Sequence, residues 1–554
     1  MATVVNFQGR NYIEPGSYAA IVYNPTSVAN VAEFGNVMII DTGLSLNTVG
    51  GQQLEFAGGS GINGELAKGL KSVYEFTSYE DFLAFMGGGL VGDIADKIFT
   101  PRAGVLGAPK LYYVRAATTT CAKIALTVAT TGAGTEQDPT VNHQILLTCK
   151  NEGVVGNGYA PNGVLKAGYA ASIVAGSATG KFRVRVMRGM FAGEDAYGEP
   201  FGAYSLADAP VNVLAESEDL STLQDAYDWM NNNRQILAAF KVEMNGDGTK
   251  PLIAISQTLA SGGTTSYLSS NEYDSVLECV NEMDITFFLC TNLNAKEGAG
   301  VNAGTNGKLF TYLKGNDVKF TQFMVVAGGA DDTDLFGVSN TSQAIAKYYD
   351  SEQVICVHGS PVVERKDKTG DKALEPIYLA ADIIGMAAGA APQTPLTFKR
   401  TGYNAFVYDL KKKEREKALQ AGILHVRNVS GYWCVNQGIN TLQNNLQMVA
   451  ADGQTYEISV ALIKAQINKE LIIDSQNRFV GQTAAQASPQ SVKNFTETKL
   501  ASFVAAPGAD NLIITWKNVK VTARNGNYHT TYDFVPNVPL NKLFFIGNML
   551  DYTF

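Results

Sequence analysis

A chain of 554 residues is long for one hydrophobic core, so two to four domains are expected. Hydrophobic residues make up 45% and charged residues 17%, with 55 Gly, 25 Tyr and 26 Phe, a composition that leans toward β-rich structure with many turns. Net charge is −9 and the longest basic run is Lys411–Lys413, which excludes the basic stripe that direct nucleic-acid binding requires.

The opening MATVVNFQGR has neither a basic region nor an apolar one after it, so no secretory leader is expected. Val4, Val5 and Phe7 fall in a short strand-like piece, followed by a turn at Pro15-Gly16. GSGING (Gly59, Gly61, Gly64) fits the dinucleotide-binding GxGxxG pattern, but the ELAKGLKSVYEF that follows is a poor crossover helix. In FTSYEDFLAFMGGG, Ser78 is the expected N-cap. Glu80 and Asp81 suit the first turn, Phe82, Phe85 and Met86 share a face, and Gly87 to Gly89 end the helix. A second GxGxxG match, GGGLVG, therefore follows a helix and not a strand, which is the wrong context. KLYYVRAA (110–117) reads as a strand.

From 119 to about 245 the pattern changes to alternating strands with Gly-rich turns. In KFRVRVMRG, Phe182, Val184 and Val186 face one side, while Arg183 and Arg185 face the other as a solvated sheet face. Between 250 and 400 helices and strands alternate. ITFFLC, FTQFMVVAGG and VICVHG read as buried strands, and SNEYDSVLECVNEM and TSQAIAKYYDS as helices, which argues for an α/β layer. PIYLAADIIGMAAGAAP (376–392) reads as a buried helix with a small-residue face; it is too short for a membrane span and carries Asp382 in its middle. Near the end, Asn525-Gly526 between NLIITWKNVKVTA and NYHTTYDFV is the strongest hairpin signal. Phe534, Val535, Leu543, Phe544, Phe545, Ile546, Leu550 and Phe554 then crowd a carboxyl-terminal stretch that either the chain's own core or another subunit must bury.

No catalytic, cofactor or metal constellation survives inspection. GTNGKL (304–309) lacks the first glycine of a phosphate loop and has Leu309 where Ser or Thr is needed. The four histidines, His143, His358, His425 and His529, show no metal-ligand spacing, and His425 with Cys434 is read as packed side chains and not a catalytic pair. Asp331, Asp332 and Asp334 read as a solvated turn. The scattered cysteines (121, 149, 279, 290, 356, 434), with no CxxC, suit reduced thiols of a cytosolic protein.

Taken in order, these segments resemble contractile tail sheath proteins of bacteriophages and related injection systems. The segments carrying the resemblance are PGSY (15–18), FTSYEDFLAFMGGG, LYYVRAA, NEGVVGNG (151–158), YLAADIIGMAAGAAPQTPLTFKR, AGILHVRNVSGYWCVNQGINTL and VPNVPLNKLFFIGNML. They run from residue 15 to about 550 in the family's order. The helix after GINTL, ISVALIKAQINKELI, has less of the basic-acidic pattern common there, and no charged segment marks a contact with an inner tube.

The resemblance implies a mixed α/β and β, multidomain fold: an α/β core built from amino- and carboxyl-terminal parts, an inserted β-rich domain, and extended terminal β arms. The expected segments are an arm (1–20), the first part of the core (21–118), the inserted domain (119–248), an α/β domain (249–400), the carboxyl-terminal core with its hairpin (401–535) and a terminal strand (536–554). It implies a helical homo-oligomer around a tail tube, with baseplate and tail terminator proteins as partners, in a virion tail assembled in the host bacterial cytoplasm. No enzyme activity, cofactor, direct nucleic-acid contact or membrane insertion is implied. Val4, Val5, Phe7, Phe534, Val535 and Leu543–Ile546 are the implied inter-subunit residues, with the Asn525-Gly526 hairpin as the receiving sheet. Two other readings stay open at this point: a non-contracting virion or surface-layer subunit, and a dinucleotide-binding enzyme using Gly59–Gly64.

Overall fold

The computed structural model describes the chain from residue 5 to 539, except for 8–9, 13–33, 42–72, 87–89, 116, 134, 136–138, 153–155, 192, 194–203, 268–276, 278–279, 281–282, 292–304, 316–320, 339–340, 365–369, 443–453, 484–485, 505–510 and 525–526. The first described elements, β1 (Val5–Phe7) and β2 (Arg10–Tyr12), pair antiparallel with Asn6 opposite Asn11. Next come β3 (Val37–Asp41), β4 (Tyr74–Phe76), α1 (Tyr79–Met86), α2 (Leu90–Phe99) and β5 (Leu111–Arg115). Ser78 accepts a hydrogen bond from the Asp81 N–H at 3.1 Å, capping α1 where the sequence places its start.

A β unit follows: β6 (Ala117–Thr131), β7 (Val141–Glu152), β8 (Tyr169–Ala175), β9 (Phe182–Gly189), β10 (Val211–Glu216), α3 (Leu223–Asn232), α4 (Arg234–Ala239), β11 (Phe240–Asn245), β12 (Ile255–Leu259) and β13 (Thr264–Tyr267). It forms two four-stranded sheets, ordered β10-β9-β8-β12 and β11-β7-β6-β13. Alternate residues of the two sheets, including Ile124, Leu147, Ile173 and Val184, share one core, which α3 and α4 extend with Leu223, Met230 and Ile236. Outward-facing Arg183 and Arg185 pair with Asp219 and Glu216 at 2.8 and 3.0 Å. The turn near Gly246 is internal to this unit. Beyond it, β12 pairs with β8 and β13 with β6, so the sandwich runs past residue 248 to at least Tyr267.

The remaining elements are β14 (Phe287–Cys290), α5 (Thr305–Gly315), β15 (Phe323–Ala327), α6 (Ser342–Tyr349), β16 (Val354–His358), β17 (Pro361–Glu364), β18 (Asp371–Ala373), α7 (Pro376–Ala388), β19 (Ala405–Phe406), α8 (Lys412–Gln420), β20 (Ile423–Val429), β21 (Tyr432–Val435), α9 (Ile458–Phe479), α10 (Pro489–Ser502), β22 (Ile513–Arg524) and β23 (Asn527–Pro536). An eight-stranded sheet ordered β21-β20-β16-β15-β14-β3-β5-β4 unites strands from before and after the β unit. Its six inner strands are parallel and its two edge strands antiparallel. The fold is thus the mixed α/β, multidomain arrangement, with the β sandwich interposed between β5 and β14.

Burial on both faces explains why these strands are continuous apolar runs. Val37, Ile39, Leu111, Phe287, Leu289 and Val325 point to a layer of α2, α7 and the start of α9. Met38, Ile40, Phe288, Met324 and Cys356 point to α5, α6 and α8. The small-residue face of α7 lets it approach α2 closely. A Cβ on Gly385 would stand 2.2 Å from the Lys97 carbonyl oxygen, which belongs to backbone and cannot rotate away. Gly385→Ala is therefore expected to destabilise the core by about 1–3 kcal/mol, read as a lower urea midpoint with native-like circular dichroism before the transition.

Candidate functional site: the C-terminal strand pair and its strut

The strands β22 and β23 form a sheet of their own, with Trp516 opposite Phe534, Lys517 opposite Asp533 and Arg524 opposite Asn527. That last pair leaves two residues, Asn525 and Gly526, for the connection; both lie outside the described residues. The register shifts between Lys517 and Lys520, where Asn518 takes φ 58° and donates its side-chain N–H to Asp533. A bulge of this kind increases local twist. One face of the pair is anchored: Val519, with Trp516 and Tyr532 beside it, packs on Leu500 and Phe503 of the α10 segment and on Ile463, Ile467 and Leu471 of α9. Away from that core, Ile514, Val535 and Val538 are 57, 45 and 43% exposed. No third strand joins this sheet among the described residues. Apart from a bridge between Val504 and Ile513 at the start of β22, the edges of these two long strands are open among the described residues, and with their exposed β-branched side chains they form a template for accepting another strand.

The strand pair is held by α9, whose residues Ile458 to Ile472 are all buried although many are polar. Three faces account for this. Ile458, Ala461, Leu462 and Ala465 join the core of the large sheet. Ile463, Ile467 and Leu471 join that of the strand pair. The third face is ionic: Lys464 pairs with Glu352 at 2.7 Å, Lys469 with Asp284 at 2.6 Å, and Glu470 with Lys499 at 2.8 Å. Glu352 and Asp284 immediately precede β16 and β14, so these pairs fasten α9 across the amino ends of the parallel strands. One helix is thereby built into two cores, and the strand pair cannot tilt without moving it.

The expected assembly residues divide three ways. Val535 is exposed on β23, whereas Phe534 is buried in its own subunit at 5% exposure and is not available at a surface. Val5 and Phe7 lie in the backbone pairing of β1 with β2. Val4, Leu543, Phe544, Phe545, Ile546, Pro15 and Gly16 lie outside the described residues. Ile514 and Val538 were not singled out from sequence, and ISVALIKAQINKELI was read there only as a helix, with no part in assembly. The exposure of Ile514 is readable only once the bulge and the partner strand are known.

Among the described residues the chemical candidates form no constellation. The first glycine pattern, Gly59–Gly64, lies outside the described residues. GTNGKL lies largely inside α5, which begins at Thr305, so its Asn306–Leu309 stretch is helix and not a phosphate-cradling loop. In a doubly wound sheet a ligand sits where strand order reverses, here between β3 and β14. At that point Asp41 is buried and accepts hydrogen bonds from the Tyr113 hydroxyl at 2.7 Å and the Thr291 hydroxyl at 2.6 Å. Asp331 caps its own turn, accepting from the Thr333 N–H at 2.9 Å and its hydroxyl at 2.7 Å. Among the described residues no three His, Cys, Asp or Glu side chains are grouped to hold a metal, and no helix is long and apolar enough to cross a membrane.

His358 and His425 sit directly opposite each other on β16 and β20. The Ser342 hydroxyl lies 2.8 Å from His358 Nδ1, and His425 Nε2 lies 3.0 Å from the Asn436 side-chain amide. Burial pushes His358 down to about 3, helped by His425 and opposed by Asp331; it pushes His425 down to about 4, helped by Arg415 and Arg427. Burial also raises Asp382 to about 7, against the Gly402 N–H, Lys97 and Arg102. The histidines are depressed, so their stabilisation is present above the ordinary histidine value and is lost as pH falls toward 4. Asp382 is raised, so its contribution runs the other way, present at low pH and lost as pH rises toward 7. Two protons against one leave a stability that declines as pH falls through this range. Urea titrations across this range are expected to show that decline, and Asp382→Asn to steepen it toward two protons.

Neither a protein-family model nor a curated protein sequence matches the chain. Among solved structures, the chain has the fold of a sheath tail protein. The likeness is to the sheath tail protein of Desulfitobacterium hafniense, with a TM-score of 0.50 at 15% identity over 91% of this chain and 93% of that one. A sheath tail protein of Listeria innocua aligns over 92% of this chain and 96% of that one, with a TM-score of 0.45 at 16% identity. The helical sheath of the anti-feeding prophage in its contracted state aligns over 52% of this chain and 79% of that one, with a TM-score of 0.36 at 13% identity. The first of these establishes the shared fold across nearly the whole of both chains.

Proposed function

We propose that this chain is the structural subunit of a contractile tail sheath, polymerising helically around a tail tube and contracting to drive that tube through a host envelope. The observation that carries the reading is the open-edged strand pair β22–β23, set on a strut shared with the core, in a chain whose fold is that of a sheath tail protein. Terminal segments of neighbouring copies, Val4–Phe7 at one end and Leu543–Ile546 at the other, add to these edges. Backbone hydrogen bonds supply strength, and alternate side chains supply register. Contacts of this kind are head-to-tail, and when their rotation does not close they build filaments.

The role is mechanical and not catalytic. The work of contraction comes from a change between two lattices, with the subunit bodies moving rigidly while the strand connections stay paired. A tail tube, a baseplate and a tail terminator are the partners this role requires, in a tail assembled in the host cytoplasm. Negative-stain electron microscopy of the purified full chain tests the reading: hollow cylinders with helical striation are the expected result, and particles that stay monomeric at every concentration contradict it.

A further inference from the structure

The chain carries −9 overall, yet residues 399 to 427 hold eight basic side chains and three acidic ones. That stretch has a surplus of five positive charges, which leaves −14 on the remainder of the chain. Part of the surplus is organised at the edge of the large sheet. The segment before β19 runs along β21: the Phe398 N–H donates to the Val435 carbonyl and the Val435 N–H to the Lys399 carbonyl, both at 2.9 Å. Arg400 then lies opposite Cys434, and Cys434 opposite Arg427. Residues directly opposite across neighbouring strands share a face, so the two arginines flank one thiol in a single row.

Each guanidinium is stacked on an aromatic ring, Arg400 at 4.1 Å from Tyr432 and Arg427 at 4.5 Å from Phe398. Both rings are 51% exposed. Phe398 has φ 59°, a left-handed conformation that is unusual and costly for a bulky residue. Neither arginine forms an ion pair among the described residues, and Arg427 Nε is buried without a hydrogen-bond acceptor.

We propose that this arginine–aromatic row is a docking surface for the acidic surface of a second copy of the chain. Stacking fixes each guanidinium plane; Arg400 is exposed, and the N–H groups other than the buried Arg427 Nε are left to meet a carboxylate. Arginine and tyrosine are the residue types in which contact energy concentrates. A second copy is the occupant that the charge distribution supports, because the rest of the same chain supplies the negative partner. A positive patch that meets a negative one elsewhere on the next copy is a head-to-tail contact, which extends in one direction without closing. The inference rests on the reading that copies of the chain assemble, and adds to strand pairing a contact that salt can tune.

The test compares the full chain with Arg400→Glu/Arg427→Glu by sedimentation and electron microscopy at low and high salt, with near-UV circular dichroism as the folding control. The critical concentration for assembly of the unaltered chain is expected to rise with salt. That of the variant is expected to be about tenfold higher already at low salt and to respond little to added salt. Arg400→Gln/Arg427→Gln, which only removes charge, decides the matter if the reversal fails to fold. A folded variant that assembles at the unaltered concentration in low salt overturns this inference and leaves the assembly reading standing. An unaltered chain that never assembles overturns both.

Discussion

Ile514→Lys/Val535→Lys is expected to yield a folded protein that forms no filaments. Both side chains are about half exposed on the strand pair, so the change removes little buried contact within the subunit and is expected to move stability by no more than about 0.5 kcal/mol. Lysine on an open strand edge is a device by which sheets avoid pairing with other chains. An arriving strand would have to bury two ammonium groups without partners, a penalty of several kcal/mol per ion. Assembly repeats the same contact at every subunit, so the change should abolish polymerisation and not merely slow it. Sedimentation velocity separates the outcomes, since filaments at the unaltered protein's concentration would place the assembly contact elsewhere.

Lys464→Ala is expected to cost about 3–5 kcal/mol, the largest single-residue effect on stability anticipated here. Lys464 is 9% exposed and reaches both carboxylate oxygens of Glu352, at 2.8 and 2.7 Å. Glu352, itself 20% exposed, would retain the Thr455 N–H at 3.1 Å and little else to offset its charge. Lys464→Met/Glu352→Gln removes both charges while keeping much of the volume, and should recover most of the loss. A double-mutant cycle in urea measures the coupling. Because α9 is shared by two cores, the single change should also loosen the strand pair, seen as faster amide exchange along β22 and β23 than in the β sandwich.

What could be read without coordinates follows from how local each signal is. ITFFLC and VICVHG were legible because a parallel strand buried on both faces is apolar at nearly every position. The small face of α7 announced a close contact, although only the structure identifies the Lys97 carbonyl as what it meets. The strut was opaque for the opposite reason. Lys464, Gln466, Asn468, Lys469 and Glu470 look like a solvated helix, and the partners that let the two lysines be buried, Glu352 and Asp284, lie more than a hundred residues earlier in the chain. The end of the β sandwich was misplaced because ISQTL and TTSY are too short and polar to declare which sheet they join. Phe534 was read as an interface residue from its place in an apolar tail, yet it sits across from Trp516 on the buried face of its own hairpin.

The central claim is that neighbouring copies complete the sheet formed by β22 and β23. A helical reconstruction of filaments grown from the full-length chain tests it most directly, at a resolution that separates strands about 4.8 Å apart. The account predicts a further strand, belonging to a different subunit, hydrogen-bonded along the open edge of β22 or β23. Filaments in which both edges face solvent, with subunits joined only through other surfaces, would contradict it.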